Sequence, residues 1–131
     1  MADNRLDVHV VTPEREVWSG DADMVVAESV EGQLGILPGH APLLALLDVG
    51  PLRVKGAGDE VRAVIDGGFF HVRDDRIDVL AEHAEMEGEI DVAGERSRLE
   101  ELERRVREGD ADARGELART IARINLAEGA G

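Results

Sequence analysis

The chain has 131 residues, 43% of them hydrophobic and only 2% aromatic, with a formal net charge of −14. That length suits one compact domain with a short appendage, and the core must be aliphatic, because Trp18, Phe69 and Phe70 are the only aromatic side chains. Nucleic-acid binding needs a basic stripe that displaces phosphate counterions, and no such stripe occurs, so nucleic acid is excluded as a partner and direct adhesion to an anionic membrane is disfavoured.

Residues 1–86 carry 7 basic and 17 acidic side chains, and residues 87–131 carry 8 and 12. The acidic surface favours solubility and basic partner surfaces. With no cysteine, disulfides and thiolate zinc sites are ruled out. Met1-Ala2-Asp3-Asn4-Arg5 leads into no apolar signal core, and the longest apolar run, residues 41–47, falls far short of the roughly 20 residues that span a bilayer. The expectation is a soluble, cytoplasmic protein without direct membrane insertion, reaching any membrane through a partner.

Short strands fill the first two-thirds. Leu6, Val8 and Val10 alternate with Asp7 and His9, the pattern of a half-buried strand. Residues 12–16 read as a polar turn, Val17-Trp18 opens a second strand, residues 24–30 form a third and residues 34–37 a fourth, stopped by Pro38-Gly39. The apolar run at 43–47 is expected to end at Gly50-Pro51, after which Leu52 and Val54 alternate with Arg53 and Lys55. Residues 61–65 return after a glycine-rich hairpin loop, Asp66-Gly67-Gly68 breaks the chain, and Arg73-Asp74-Asp75-Arg76 joins residues 69–72 to residues 77–80.

From about residue 82 the character changes. A charged stretch, residues 82–91, precedes Leu99, Leu102 and Val106 at helical spacing, then Gly109-Asp110 stops that helix. Asp110 or Asp112 can cap the next one, where Leu117, Ile121 and Ile124 repeat the spacing. The expected architecture is β plus α: an N-terminal antiparallel β-sandwich over residues 1–86, followed by a C-terminal two-helix antiparallel hairpin over residues 87–131.

Reactive chemistry is sparse. The four histidines, His9, His40, His71 and His83, show no metal-ligand spacing, and no nucleophile elbow or phosphate-binding loop occurs. No metal, cofactor or catalytic residue is expected. The distinctive segment is Gly32-Gln33-Leu34-Gly35-Ile36-Leu37-Pro38-Gly39-His40-Ala41-Pro42-Leu43-Leu44, where prolines and glycines stiffen a corner among large apolar residues. Together with Gly50-Pro51-Leu52-Arg53-Val54, Asp66-Gly67-Gly68-Phe69 and Val79-Leu80-Ala81-Glu82, in that order and spacing, it resembles the epsilon subunit of bacterial F-type ATP synthases, over nearly the whole chain.

The resemblance implies a non-catalytic subunit of the central rotor stalk, a peripheral protein at the cytoplasmic face of the cell membrane. Its sandwich would dock on the gamma subunit and the c-ring. Its hairpin would lie folded or extend toward the alpha/beta catalytic hexamer and restrain ATP hydrolysis. It also implies c-ring or gamma contacts at Glu31, Gln33, Pro38, Gly39 and His40, with Gln33 standing where relatives commonly carry Glu. Hairpin contacts to the hexamer would fall to Arg114, Arg119 and Arg123. Some members bind ATP through an Ile/Leu-Asp-x-x-Arg-Ala motif. Here only Ile90 and Asp91 match, and Gly94 and Glu95 replace Arg and Ala, so weak or absent ATP binding is expected. The competing reading is an unrelated sandwich adaptor with a helical clamp, which would show no association with gamma or the c-ring.

Overall fold

A computed structural model describes residues 5–56 and 58–129. Seven strands come first: β1 (Leu6–Val11), β2 (Glu16–Ala22), β3 (Met24–Ser29), β4 (Gly32–Ile36), β5 (Leu43–Lys55), β6 (Val61–Arg73) and β7 (Arg76–Met86). A 3-10 turn over Glu87–Glu89 leads to α1 (Val92–Arg107) and α2 (Ala113–Ala127). The strand order is β2-β1-β7-β6-β5-β3-β4. Five of the six pairings are antiparallel, and β1 runs parallel to β7.

Leu6, Val8 and Val10 of β1 share one buried cluster with Val25 and Ala27 of β3 and Ile36 of β4. Four strand spacings separate β1 from β3, which in a flat sheet is about 19 Å. One cluster can hold both only if the sheet folds over on itself, as a sandwich does.

The fold-over runs through the middle of the three longest strands. The inward set of β7 is Ile77, Val79 and Ala81, then Glu82 and His83 are both exposed, and Ala84 and Met86 turn inward. In β6 the inward set changes from Ala63 and Ile65 to Phe70 and Val72, and in β5 from Leu47 to Gly50, Leu52 and Val54. Gly50-Pro51 and Asp66-Gly67-Gly68 were expected to end strands. They lie instead inside continuous 13-residue strands and bend them. Gly67 and Gly68 have φ of 74° and 119°, and a Cβ on Gly68 would collide with the Leu80 carbonyl oxygen.

The β6–β7 turn carries positive φ at Asp74 (52°) and Asp75 (62°), as a two-residue hairpin with the sheet's twist requires. Asp75 also accepts the Gly39 N–H at 2.7 Å, and its carbonyl accepts the Asp7 N–H at 2.8 Å, tying the proline-rich corner and β1 to this turn.

The Asp91 carboxylate caps α1 by accepting the Gly94 N–H at 3.1 Å. At the connection to α2, Arg105 bonds the Asp110 carboxylate at 3.0 and 2.9 Å, while Asp110 also accepts the Asp112 N–H at 3.1 Å. Asp112 occupies the cap position of α2, but its side chain makes no capping bond. Helix α2 lies on β5 and β6, and α1 packs on α2. Leu102 and Ile124 are buried as their spacing implies, whereas Ile121 remains 42% exposed.

Replacing Gly68 by Ala should cost more than about 3 kcal/mol, because positive φ and a backbone clash combine. Gly32→Ala, with φ of 123° but open space, should cost about 1 kcal/mol. Urea unfolding of both variants checks the ranking. The hydrogen bond from Arg105 holds the Asp110 carboxyl below its ordinary value of 3.8. The folded-state value is depressed, so this stabilisation is complete above the ordinary value and is lost as pH falls through the lower folded one. A carboxyl titration followed by NMR should place the Asp110 midpoint below 3.8.

Candidate functional site

Bending the sheet creates two outer faces with different fates. Outward residues from the hairpin-side halves of β5, β6 and β7 include Pro51, paired with Val64, and Val64, paired with Glu85. This face lies beneath α2, and Val64 is only 4% exposed there. The opposite face is uncovered. Across it Leu46 pairs with Phe69, Phe69 with Leu80 and Leu80 with Val11, and directly paired residues point to the same side. Leu44, Leu46, Phe69 and Leu80 are 66, 51, 46 and 48% exposed. A contiguous apolar row of this kind marks a surface for a partner.

One end of the row opens into a cleft of about 350 Å³ lined by Val30, Glu31, Gln33, Leu34, Leu44 and Leu46. Ser29 shapes the turn there: its hydroxyl donates to the Gly32 carbonyl at 2.7 Å and accepts the Glu31 N–H at 3.1 Å. Glu31 and Gln33 are both exposed.

Pro38, Gly39 and His40 sit at the far end of β4, so this short strand of roughly 17 Å separates them from the Glu31–Gln33 turn. The two groups form the ends of one edge and not a single compact cluster. The His40 ring Nδ1 lies 2.6 Å from the Ala41 carbonyl, and since a carbonyl only accepts, Nδ1 carries a proton in this contact. Leu44, Leu46, Phe69 and Leu80 were not singled out from sequence. The signal lay in the 43–47 run: apolar residues on both faces of a strand mean that both faces are to be covered.

The covered face holds the arginines. Arg119 pairs with Asp66 at 3.3 Å. Arg123 places Nε 2.7 Å from Glu85 on β7 and Nη1 3.4 Å from Glu95 on α1. Thr120, fully buried, donates to the same Glu95 oxygen at 3.0 Å. Arg62 donates to the Leu126 carbonyl at 2.8 Å and pairs with Glu87 at 3.3 Å. Arg119 and Arg123 thus face the sandwich in this arrangement, and Arg114 is exposed at the start of α2. A polar cavity of about 490 Å³ adjoins them, lined among others by Arg15, His83, Glu85, Arg119 and Arg123.

At the partial nucleotide motif, Ile90 is half-buried and Asp91 serves as the α1 cap. A Cβ on Gly94 would come within 2.5 Å of an Asp91 carboxylate oxygen, so a side chain at this position would require the cap to shift. Among the described residues no group of three or more His, Asp or Glu side chains is placed to hold a metal, and no helix is long and apolar enough to cross a membrane.

The family model for the beta-sandwich domain of the ATP synthase delta/epsilon chain matches residues 5–87. The chain is 49% identical over 128 residues to the ATP synthase epsilon chain of Thermobifida fusca, covering 95% of this chain and 93% of that one. It is 44% identical over 110 residues to the epsilon chain of Brevibacillus brevis, covering 83% of each. Among solved structures it is similar to a chain of the Euglena gracilis mitochondrial ATP synthase, in the OSCP/F1/c-ring assembly, with a TM-score of 0.81, 25% identity and coverage of 96% of this chain and 82% of that one. The folded-over sheet, the four ordered sequence blocks and these likenesses agree: the chain belongs to the ATP synthase epsilon chain family.

Proposed function

We propose that this chain is a non-catalytic subunit of the central rotor stalk of an F-type ATP synthase, coupling proton-driven rotation of the c-ring to ATP synthesis. The observation that carries the proposal is the uncovered apolar row with the Glu31–Gln33 cleft at its end. Leu44, Leu46, Phe69 and Leu80 present a docking face to the gamma subunit, and the Glu31–Gln33 turn and residues 38–40 extend that edge toward the c-ring. The Euglena likeness, to a chain within an F1/c-ring assembly, supports the same partners. Attachment to the cytoplasmic face of the cell membrane then runs through those partners.

The sandwich is the docking domain and residues 87–131 are regulatory. In the folded arrangement Arg119 and Arg123 are occupied by Asp66, Glu85 and Glu95. Extension of the hairpin would free them, together with the exposed Arg114, to meet acidic surfaces of the alpha/beta hexamer and restrain ATP hydrolysis. The buried sheet cluster includes no hairpin residue, which allows the hairpin to leave without dismantling the sandwich.

The proposal is tested by co-purification with gamma and the catalytic hexamer, with hydrolysis measured with and without residues 90–131. Removal should raise hydrolysis, and unchanged activity would eliminate the restraining role. Leu46→Asp should weaken association with gamma by about tenfold or more, as for a central apolar anchor. Its urea midpoint should barely move, because Leu46 is already half exposed.

Weak or absent ATP binding follows from Gly94 and Glu95: no guanidinium stands at the motif position, and Glu95 already faces Arg123 with its own carboxylate. Calorimetry on the isolated chain should detect no micromolar affinity for ATP.

A further inference from the structure

We propose that docking of the gamma subunit on the apolar row is linked to protonation of His9, so that association strengthens as pH falls. The inference rests on the docking reading of that row and adds a regulator to it. The row of Leu46, Phe69, Leu80 and Val11 does not end on an apolar residue: the next strand, β2, places Glu16 opposite Val11. A groove of about 390 Å³ lined by Val11, Pro13, Phe69 and Leu80 lies at the same end, so a partner seated on the row reaches the neighbourhood of Glu16. A carboxylate covered by a partner is costly unless a cation pairs with it. Among the described residues the ion-pair partner of Glu16 is His9, whose Nδ1 lies 3.3 Å from the carboxylate.

His9 fills that role only when charged. Its other ring nitrogen, Nε2, lies 2.9 Å from the Asp7 carboxylate. Ionised carboxylates only accept, so holding both requires both ring nitrogens to donate, which only the imidazolium does. When the ring is neutral, Asp7 still has Arg76 at 3.8 Å, whereas Glu16 loses its cation. The other neighbours of His9 do not replace that cation. On β7 the residue opposite His9 is Asp78, bonded by Arg76 at 3.1 Å, and beyond Asp78 stands His71 of β6. Arg73 of β6 stands beyond Arg76, two strands from Asp7. On β2 the residue opposite His9 is the uncharged Ser19, with Asp21 opposite Asp7. Asp7, Glu16 and Asp78 thus share one fixed cation, Arg76, and a second that exists only when His9 is protonated. Histidine is the side chain whose charge changes between about pH 5 and 8. Docking favours the charged form, so its contribution is present at low pH and is lost as pH rises through the histidine range.

The test is the affinity of the full-length chain for the gamma-containing catalytic complex lacking this subunit, at constant ionic strength between about pH 6 and pH 8. The unaltered chain should bind about fivefold more weakly at the higher pH, the upper range for a partly exposed ion pair. His9→Gln should bind weakly at both, because the cation is gone. Glu16→Gln should bind tightly at both, because the charge that needs the cation is gone. His71→Gln should keep the pH dependence of the unaltered chain. The proposal is overturned if the unaltered chain shows no pH dependence, if His9→Gln or Glu16→Gln retains it, or if His71→Gln abolishes it. Glu16→Gln binding as weakly as His9→Gln also overturns it. A Leu46→Asp chain measured alongside separates the two readings. If it binds as tightly as the unaltered chain, the docking reading itself fails. If it binds weakly while the pH profile is independent of His9, only the proton linkage fails.

Discussion

The structure depends on one constraint: β5, β6 and β7 must change their inward-facing side midway along their length. A strand has a side-chain period of two, so a regular strand could not place Ile65 and Phe70 in the same core. The break in period is supplied by Gly67 and Gly68, whose positive φ values few other residues could adopt, and by the matching irregularities around Gly50 in β5 and Glu82-His83 in β7. With it, a single seven-stranded sheet encloses its own core. Without it, the chain would present one flat face that neither α2 nor a partner could complete.

The same bend separates the two outer surfaces. On one, Val64, Asp66 and Glu85 lie beneath α2, where Arg119 meets Asp66 and Arg123 meets Glu85. On the other, Leu44, Leu46, Phe69 and Leu80 lie uncovered. The two surfaces differ in chemistry as well as occupancy. Polar links that are only partly exposed contribute little individually and are open to competition from ions, which is compatible with the reversible hairpin contact proposed above. An apolar row has no such competitor, and its burial is worth about 25 cal/mol per Å², which suits a contact meant to persist. An uncovered apolar face and a face covered through partly exposed polar links thus occur on one sandwich, and a solved structure of similar fold is a chain of an F1/c-ring assembly.

Glu95 shows how one departure from a family pattern can be understood by what it touches. Its carboxylate bonds the buried hydroxyl of Thr120 and lies against Arg123, while Gly94 leaves room for the Asp91 cap.

Much was legible from sequence because it depends on local patterning. Alternation at Leu6, Val8 and Val10 marks a strand, the three-and-four spacing of Leu99, Leu102 and Val106 marks a helix, and Gly109-Asp110 marks the turn between helices. The four sequence blocks indicated the family. Three matters were decided only by tertiary structure. Gly50-Pro51 and Gly67-Gly68 became bends and not ends, because β6 stays paired with Gly50 and Pro51, and the pairing of β6 with β5 and β7 skips Gly67 and resumes at Gly68. The exposed row of Leu44, Leu46, Phe69 and Leu80 emerged only from register, since apolar residues read alike whether they face a core or solvent. Arg119 and Arg123 found acidic partners on β6, β7 and α1, at sequence separations that no helical or strand period encodes. Composition and periodicity describe what each element is; which of its faces remains free depends on every other element placed around it.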